Sequence, residues 1–263
     1  MQEFIDTLKL RGLSPKTISA YTYHAGKFLK QTGKTRLNTT NKDIKDYLIS
    51  LINNGYCSNT IRIIQAALIS YFPNIKIEDL PKPKKHKPLP KVLSKQEIKG
   101  MIAATTNLKH RLIIKILYST GIRVSELVNL KKQDINTERN TVLVNSGKGN
   151  KDRITLLSTG IKEELLKYAL QNHEEYLFQG RGKRYPVKTI QKILDTARKK
   201  AGITKKVTPH MMRHSFATHL LEQGTDIRYI QRLLGHEQLT TTQIYTKVSN
   251  AEISKIKNPL DEL

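Results

Sequence analysis

Apolar residues recur at helical spacing through the first 72 positions of the chain. The first such segment holds Phe4, Ile5 and Leu8 and stops at Gly12, a residue that suits a helix end. Ser14 and Pro15 then supply a cap and a first-turn proline for a second helix, whose apolar stripe is Ile18, Tyr21, Ala25, Phe28 and Leu29. Asn41 and Ser58 are the expected caps of a third and a fourth helix. The inner faces of these two would hold Ile44, Leu48 and Leu51, then Ile61, Ile64, Leu68 and Phe72. Residues 1–80 therefore read as a small all-helical domain.

The pattern breaks at residues 81–91, which carry four prolines and five lysines in eleven positions. Neither helix nor strand tolerates that density of proline, so this stretch reads as a semi-rigid basic linker. Beyond it, Ser94-Lys-Gln-Glu97 is a capping box, and helical periodicity follows to Ser119, with Gly121 as its stop. The period changes to two in residues 141–157, where Thr-Val-Leu-Val-Asn and Arg-Ile-Thr-Leu-Leu flank Gly147-Lys148-Gly149-Asn150, predicting a β-hairpin with a glycine-rich tip. Helical patterning resumes near Ser158 and runs almost to the end. Residues 92–263 thus form a second domain, and the fold class is mainly α with a small β-sheet in that domain.

Charge changes the picture from fold to partner. The chain has 46 Lys and Arg against 22 Asp and Glu, a formal net charge of +24 over 263 residues, while 38% of its residues are apolar. A folded protein so basic needs a polyanion, and nucleic acid fits because each phosphate neutralised releases condensed counterions. No stretch has the apolar length to span a bilayer, so no membrane partner is expected. Met-Gln-Glu-Phe-Ile at the start lacks the basic and apolar sections of a signal peptide, and the expected location is the cytoplasm. The single cysteine, Cys57, cannot form an internal disulfide and is read as a core residue.

Arginine, histidine and lysine gather in short segments while carboxylates are scattered, an inventory that suits phosphoryl transfer with neither metal nor cofactor. Arg123 falls near a helix start, where its fork and the terminal amides could bind a phosphate; Glu126 is near enough to make it a salt-bridged surface group instead. Lys148 sits at the hairpin tip, as a proton donor or as a solvent-facing turn lysine. Thr208-Pro209 opens a helix with His210 and Arg213 three apart on one face. His210, His214 and His219 also admit a zinc reading, but no glutamate lies between the first two as in His-Glu-x-x-His, and His214 and His219 could be packed or capping residues. His236 follows Gly235 in a turn, nine residues before Tyr245. That phenol becomes a useful nucleophile only if a base takes its proton and cations receive the phosphate, as His210, Arg123 and Arg213 would allow.

In this combined order, Arg123, Lys148, the His-x-x-Arg pair His210 and Arg213, Leu-Gly-His236 and Tyr245, the chain resembles the tyrosine recombinase or integrase family, and looks closest to the Xer recombinases that resolve chromosome dimers. Met212, where leucine is common, and Glu237-Gln238, where small polar residues are usual, depart from the pattern outside those positions. The resemblance implies a two-domain C-shaped DNA clamp, with residues 1–80 as a SAM-like core-binding domain and residues 92–263 as the catalytic domain of the DNA breaking-rejoining fold. It implies that Tyr245 forms a 3′-phosphotyrosine without ATP, Arg123 and Arg213 hold the phosphate with His236, Lys148 protonates the leaving 5′-oxygen and His210 takes the tyrosine proton. Its implied partners are double-stranded DNA with a specific site and further copies of the chain, as a tetramer on two sites. A DNA translocase or accessory factor is a further implied partner, and the resemblance implies that Ala251, Ile253 and Ile256 form a short tail that docks one copy to a neighbour. A mobile-element integrase, a plasmid resolvase, a type IB topoisomerase and a non-catalytic DNA-binding protein are the alternatives.

Overall fold

A computed structural model describes residues 1–73, 75, 89–145, 152–171, 174–180 and 183–246. The chain divides into two compact units, Met1–Pro88 and Leu89–Leu263. Lys148 and the hairpin tip, most of the proline-lysine linker and the tail with Ala251, Ile253 and Ile256 lie outside the described residues.

The first unit contains α1 (Gln2–Leu10), α2 (Pro15–Thr32), α3 (Asn41–Asn53) and α4 (Ser58–Tyr71). Their apolar stripes meet in one cluster that includes Phe4, Leu8, Phe28, Ile44, Leu48, Ile61, Leu68 and Phe72. Ser14 caps α2 by accepting from the Thr17 amide at 3.2 Å. The expected caps of α3 and α4 shift by one residue. Thr40, not Asn41, caps α3 in a reciprocal box with Asp43, and Ser58 is the first residue of α4 rather than its cap. Thr40 wins because Asp43 stands three positions on, where its carboxylate can return the bond. Cys57, expected in the core, is exposed at the α4 cap position.

The second unit contains α5 (Lys95–Ala103), α6 (Leu108–Thr120), α7 (Val124–Leu127), β1 (Ile135–Asn136), β2 (Thr141–Val144), β3 (Arg153–Leu156), α8 (Lys162–Gln171), β4 (Gln179–Gly180), β5 (Lys183–Arg184), α9 (Val187–Lys200), α10 (Pro209–Glu222), α11 (Ile227–Leu234) and α12 (Leu239–Thr242). The helical patterning read from Ser94 to Ser119 divides into two helices. Asn107 accepts from the His110 amide at 3.0 Å and starts a new one, so a local side-chain bond overrides the continuing apolar pattern. Leu112, Ile113, Ile114, Ile116 and Leu117 of α6 are all buried, which marks α6 as the helix surrounded by the others.

The two strands of the predicted hairpin pair antiparallel, with Val142 opposite Thr155 and Leu143 opposite Ile154. β1 adds a third antiparallel strand on the β2 side. The expectation of helix from residue 158 onward misses β4 and β5, which pair over two residues each, too short for any period to show.

Candidate active site

Gly121 ends α6 in the left-handed region at φ 62°, and this turn delivers Arg123 to the start of α7. α7 is only four residues long, and the Arg123 amide donates to Oε2 of Glu126 at 2.7 Å rather than facing an open anion site. The Arg123 guanidinium also donates to Oε1 of Glu126 at 2.8 Å. Glu126 is buried and meets a second guanidinium, since Arg153 at the head of β3 donates to both its oxygens at 2.9 and 2.7 Å. Burial alone would push the Glu126 carboxyl up, but the hydrogen bonds and charges of Arg153 and Arg123 outweigh it and hold the pKa at about 2.

α10 begins with Thr208, whose hydroxyl accepts from the Met211 amide at 3.1 Å, followed by Pro209. That start fixes the rotation of the helix, so that His210 is exposed while Arg213 is buried. The Arg213 guanidinium donates to the Gly121 carbonyl at 2.8 Å and the Leu234 carbonyl at 2.6 Å. It thereby ties the end of α6 to the end of α11. Burial, with Arg123 nearby, lowers its pKa to about 10, still protonated at neutral pH.

α11 stops at Gly235, at φ 65°, and His236 follows. The His236 Nδ1 pairs with the Thr242 hydroxyl in α12 at 2.9 Å, and α12 leads to Tyr245, which is 1% exposed. The Tyr245 ring stacks on His236 with centroids 6.4 Å apart. Its hydroxyl lies 3.1 Å from Nδ1 of His214, and the His214 ring stacks in turn on His210 at 6.1 Å. Residue type and order alone do not separate His214 from a packed histidine. Its only signal was the four-residue spacing from His210, which places both rings on one face of α10.

Burial, reinforced by Arg213, Arg123 and Arg153, pushes His236 down to about 3. Burial, His210 and Arg213 push His214 down to about 4. His210 is lowered by burial and then by Arg213 and Arg123. Burial raises Tyr245, and Arg213 and Arg123 oppose that rise. The cluster thus holds a protonated phenol among neutral imidazoles beside permanent cations, an arrangement that can accept a phosphate and stabilise a phenolate as it forms.

The structure therefore gathers Arg123, His210, Arg213, His236 and Tyr245 from α6–α7, α10, α11 and α12. The zinc reading of His210, His214 and His219 does not match this arrangement, because His214 bonds Tyr245 and His219 bonds the Tyr118 hydroxyl at 2.9 Å. No cluster of three His, Cys, Asp or Glu able to hold a metal occurs among the described residues.

Residues 91–252 match the family described as phage integrase, and residues 1–82 match the phage integrase N-terminal SAM-like domain. The chain belongs to the phage integrase family. This integrase-family chain is 40% identical over 263 residues to tyrosine recombinase XerA of Pyrococcus horikoshii, covering 96% of this chain and 90% of that relative. A crystal structure of XerA recombinase matches at 32% identity with a TM-score of 0.59, over 98% of each chain. The integrase fold is also shared with XerH site-specific recombinase, solved as a post-cleavage complex with palindromic difH substrate. That match has a TM-score of 0.79 at 24% identity and covers 93% of this chain and 80% of that one.

Proposed function

We propose that this chain is a site-specific tyrosine recombinase that cleaves and rejoins double-stranded DNA through a 3′-phosphotyrosine at Tyr245. The observation that carries the reading is the buried phenol with its hydroxyl on a neutral histidine, within the electrostatic reach of Arg123 and Arg213. Arg123 and Arg213 take the non-bridging oxygens of the scissile phosphate, and His236 adds a hydrogen bond to it. Tyr245 leaves its contact with His214 and attacks phosphorus; the bond to the 5′-oxygen breaks, and Lys148 supplies that oxygen with its proton. His210 takes the proton from Tyr245. Its exposed place on α10 suits a group that must exchange protons with solvent, whereas His214, at about 4, is a poor base. Rejoining reverses these steps when a 5′-hydroxyl attacks the phosphotyrosine. One phosphodiester is exchanged for another, so ATP is not consumed.

In this reading residues 1–80 are the core-binding domain, residues 81–91 a basic linker along the phosphates, and residues 92–263 the catalytic domain. Four copies assemble on two sites, and a DNA translocase or accessory factor governs when they act. The biological role is chromosome dimer resolution in the cytoplasm, at the nucleoid. Among the described residues no helix is long and apolar enough to cross a membrane.

The test is a supercoiled plasmid carrying two direct copies of a site enriched by binding selection. Resolution into two circles is expected, with loss on Tyr245→Phe. Robust relaxation of a plasmid without sites would instead assign a type IB topoisomerase activity.

A further inference from the structure

Arg153 has no part in the chemistry above, yet its side chain is only 9% exposed and every nitrogen of its guanidinium is committed. Nη1 and Nη2 bind the two oxygens of Glu126, and Nε donates to the Leu233 carbonyl at 2.9 Å. The next carbonyl, that of Leu234, accepts from Arg213. Two guanidiniums therefore hold successive carbonyls at the end of α11, where no following turn of helix supplies donors. The next residue is Gly235, and a Cβ there would lie 2.7 Å from Cδ of Arg153, so only glycine lets the turn close onto this side chain. His236 comes directly after.

On its other side Arg153 shares the Glu126 carboxylate with Arg123. A buried carboxylate with Arg123 as its only cation would compete with phosphate for that guanidinium. With the bidentate fork of Arg153 in place, Glu126 is neutralised and holds Arg123 through Nη1.

We propose that Arg153 is a positioning residue for strand cleavage, balancing Glu126 so that Arg123 can serve a phosphate and clamping the Leu233–Gly235 turn so that His236 meets the same phosphate. This rests on the recombinase reading of the site.

The experiment is single-turnover cleavage of a nicked suicide duplex at saturating protein, with duplex affinity and melting temperature followed in parallel. Parent, Arg153→Met, Arg153→Lys, Glu126→Gln and Arg153→Met/Glu126→Gln are compared. Arg153→Met is expected to slow cleavage about tenfold or more with affinity changed less than about threefold, a loss confined to the chemical step. Arg153→Lys stays nearer to Arg153→Met than to the parent, because a point charge cannot replace the fork. Glu126→Gln on top of Arg153→Met is expected to recover cleavage by about threefold or more, since the competing charge is gone; a purely architectural role would make the double variant worse. Cleavage by Arg153→Met and Arg153→Lys within about twofold of the parent, or a double variant no faster than Arg153→Met, overturns the proposal. If Arg153→Met does not fold, the same comparison is read from Arg153→Lys with and without Glu126→Gln. A parent protein that forms no Tyr245-linked product refutes the recombinase reading itself, an outcome separate from losses confined to the variants.

Discussion

Gly121 is where the fold and the site depend most closely on one missing side chain, and Gly121→Ala measures that dependence. The residue has φ +62, and an added Cβ would lie 2.3 Å from Cδ1 and 2.7 Å from Cε1 of Phe216, with Leu234 Cδ2 at 3.0 Å. Holding alanine in the left-handed region costs roughly 1–2 kcal/mol. Forcing a methyl into a packed ring adds about 1–3 kcal/mol, giving about 2–5 kcal/mol in all. Gly202→Ala is the control in the same unit: its φ is +70 but nothing lies within 4 Å of the added Cβ, so only the backbone part applies. The packing part is then the difference between the variants, about 1–3 kcal/mol, which at a slope of ~2 kcal/mol per M urea separates their midpoints by roughly 0.5–1.5 M. Urea unfolding of the full chain followed by far-ultraviolet circular dichroism reads this directly. Equal midpoints for the two variants would refute the packing around Phe216. Because the Gly121 carbonyl also accepts from Arg213, folded Gly121→Ala should cleave DNA more slowly, whereas Gly202→Ala should not.

Stability should fall on acidification from about pH 6.5. Glu126 has a lowered pKa of about 2 against 4.5, so its contribution is present above about 4.5 and is lost as pH falls toward 2. His214 and His236, at about 4 and 3 against 6.5, stay neutral where the unfolded chain binds protons, which also removes stability as pH drops. Urea midpoints that stay flat from pH 7 to pH 4 would contradict this, and Glu126→Gln should flatten the part of the profile below about 4.5. Arg213→Lys replaces the planar fork that spans the Gly121 and Leu234 carbonyls with a point charge, so it should abolish detectable cleavage and destabilise the second unit by about 1–3 kcal/mol, checked by single-turnover cleavage and urea unfolding. Duplex binding, measured by fluorescence anisotropy, should weaken steeply with salt, with log K falling by about 0.9 per log salt for each phosphate neutralised; a slope near zero would remove the polyanion reading of the +24 charge.

The elements legible in the sequence were those whose signals are local. Ser14-Pro15, the Ser94–Glu97 box and the alternation in β2 and β3 each act within a few residues, and each appears where the pattern placed it. The start of α6 was missed because the Asn107 cap interrupts a helical apolar pattern that continues on both sides of it. β4 and β5 were missed because two residues carry no period. In the site, the motif residues stood out by type and order, but their partners did not. The Arg153–Glu126 pair spans 27 positions, and the Arg213 bonds to Gly121 and Leu234 span 92 and 21. Such contacts exist only once the helices pack. Cys57 shows the converse: residue type suggests burial, and its position at the open end of α4 exposes it.

The most direct test of the account is to trap the covalent complex on a nicked suicide duplex, digest it with trypsin and locate the linked nucleotide by mass spectrometry. The expected result is a phosphotyrosine at Tyr245 within the peptide Leu233–Lys247, a blocked 3′ end on the DNA and a free 5′-hydroxyl, all lost in Tyr245→Phe. A nucleotide on another residue, a linkage to the 5′ end, or an adduct that survives Tyr245→Phe would contradict it.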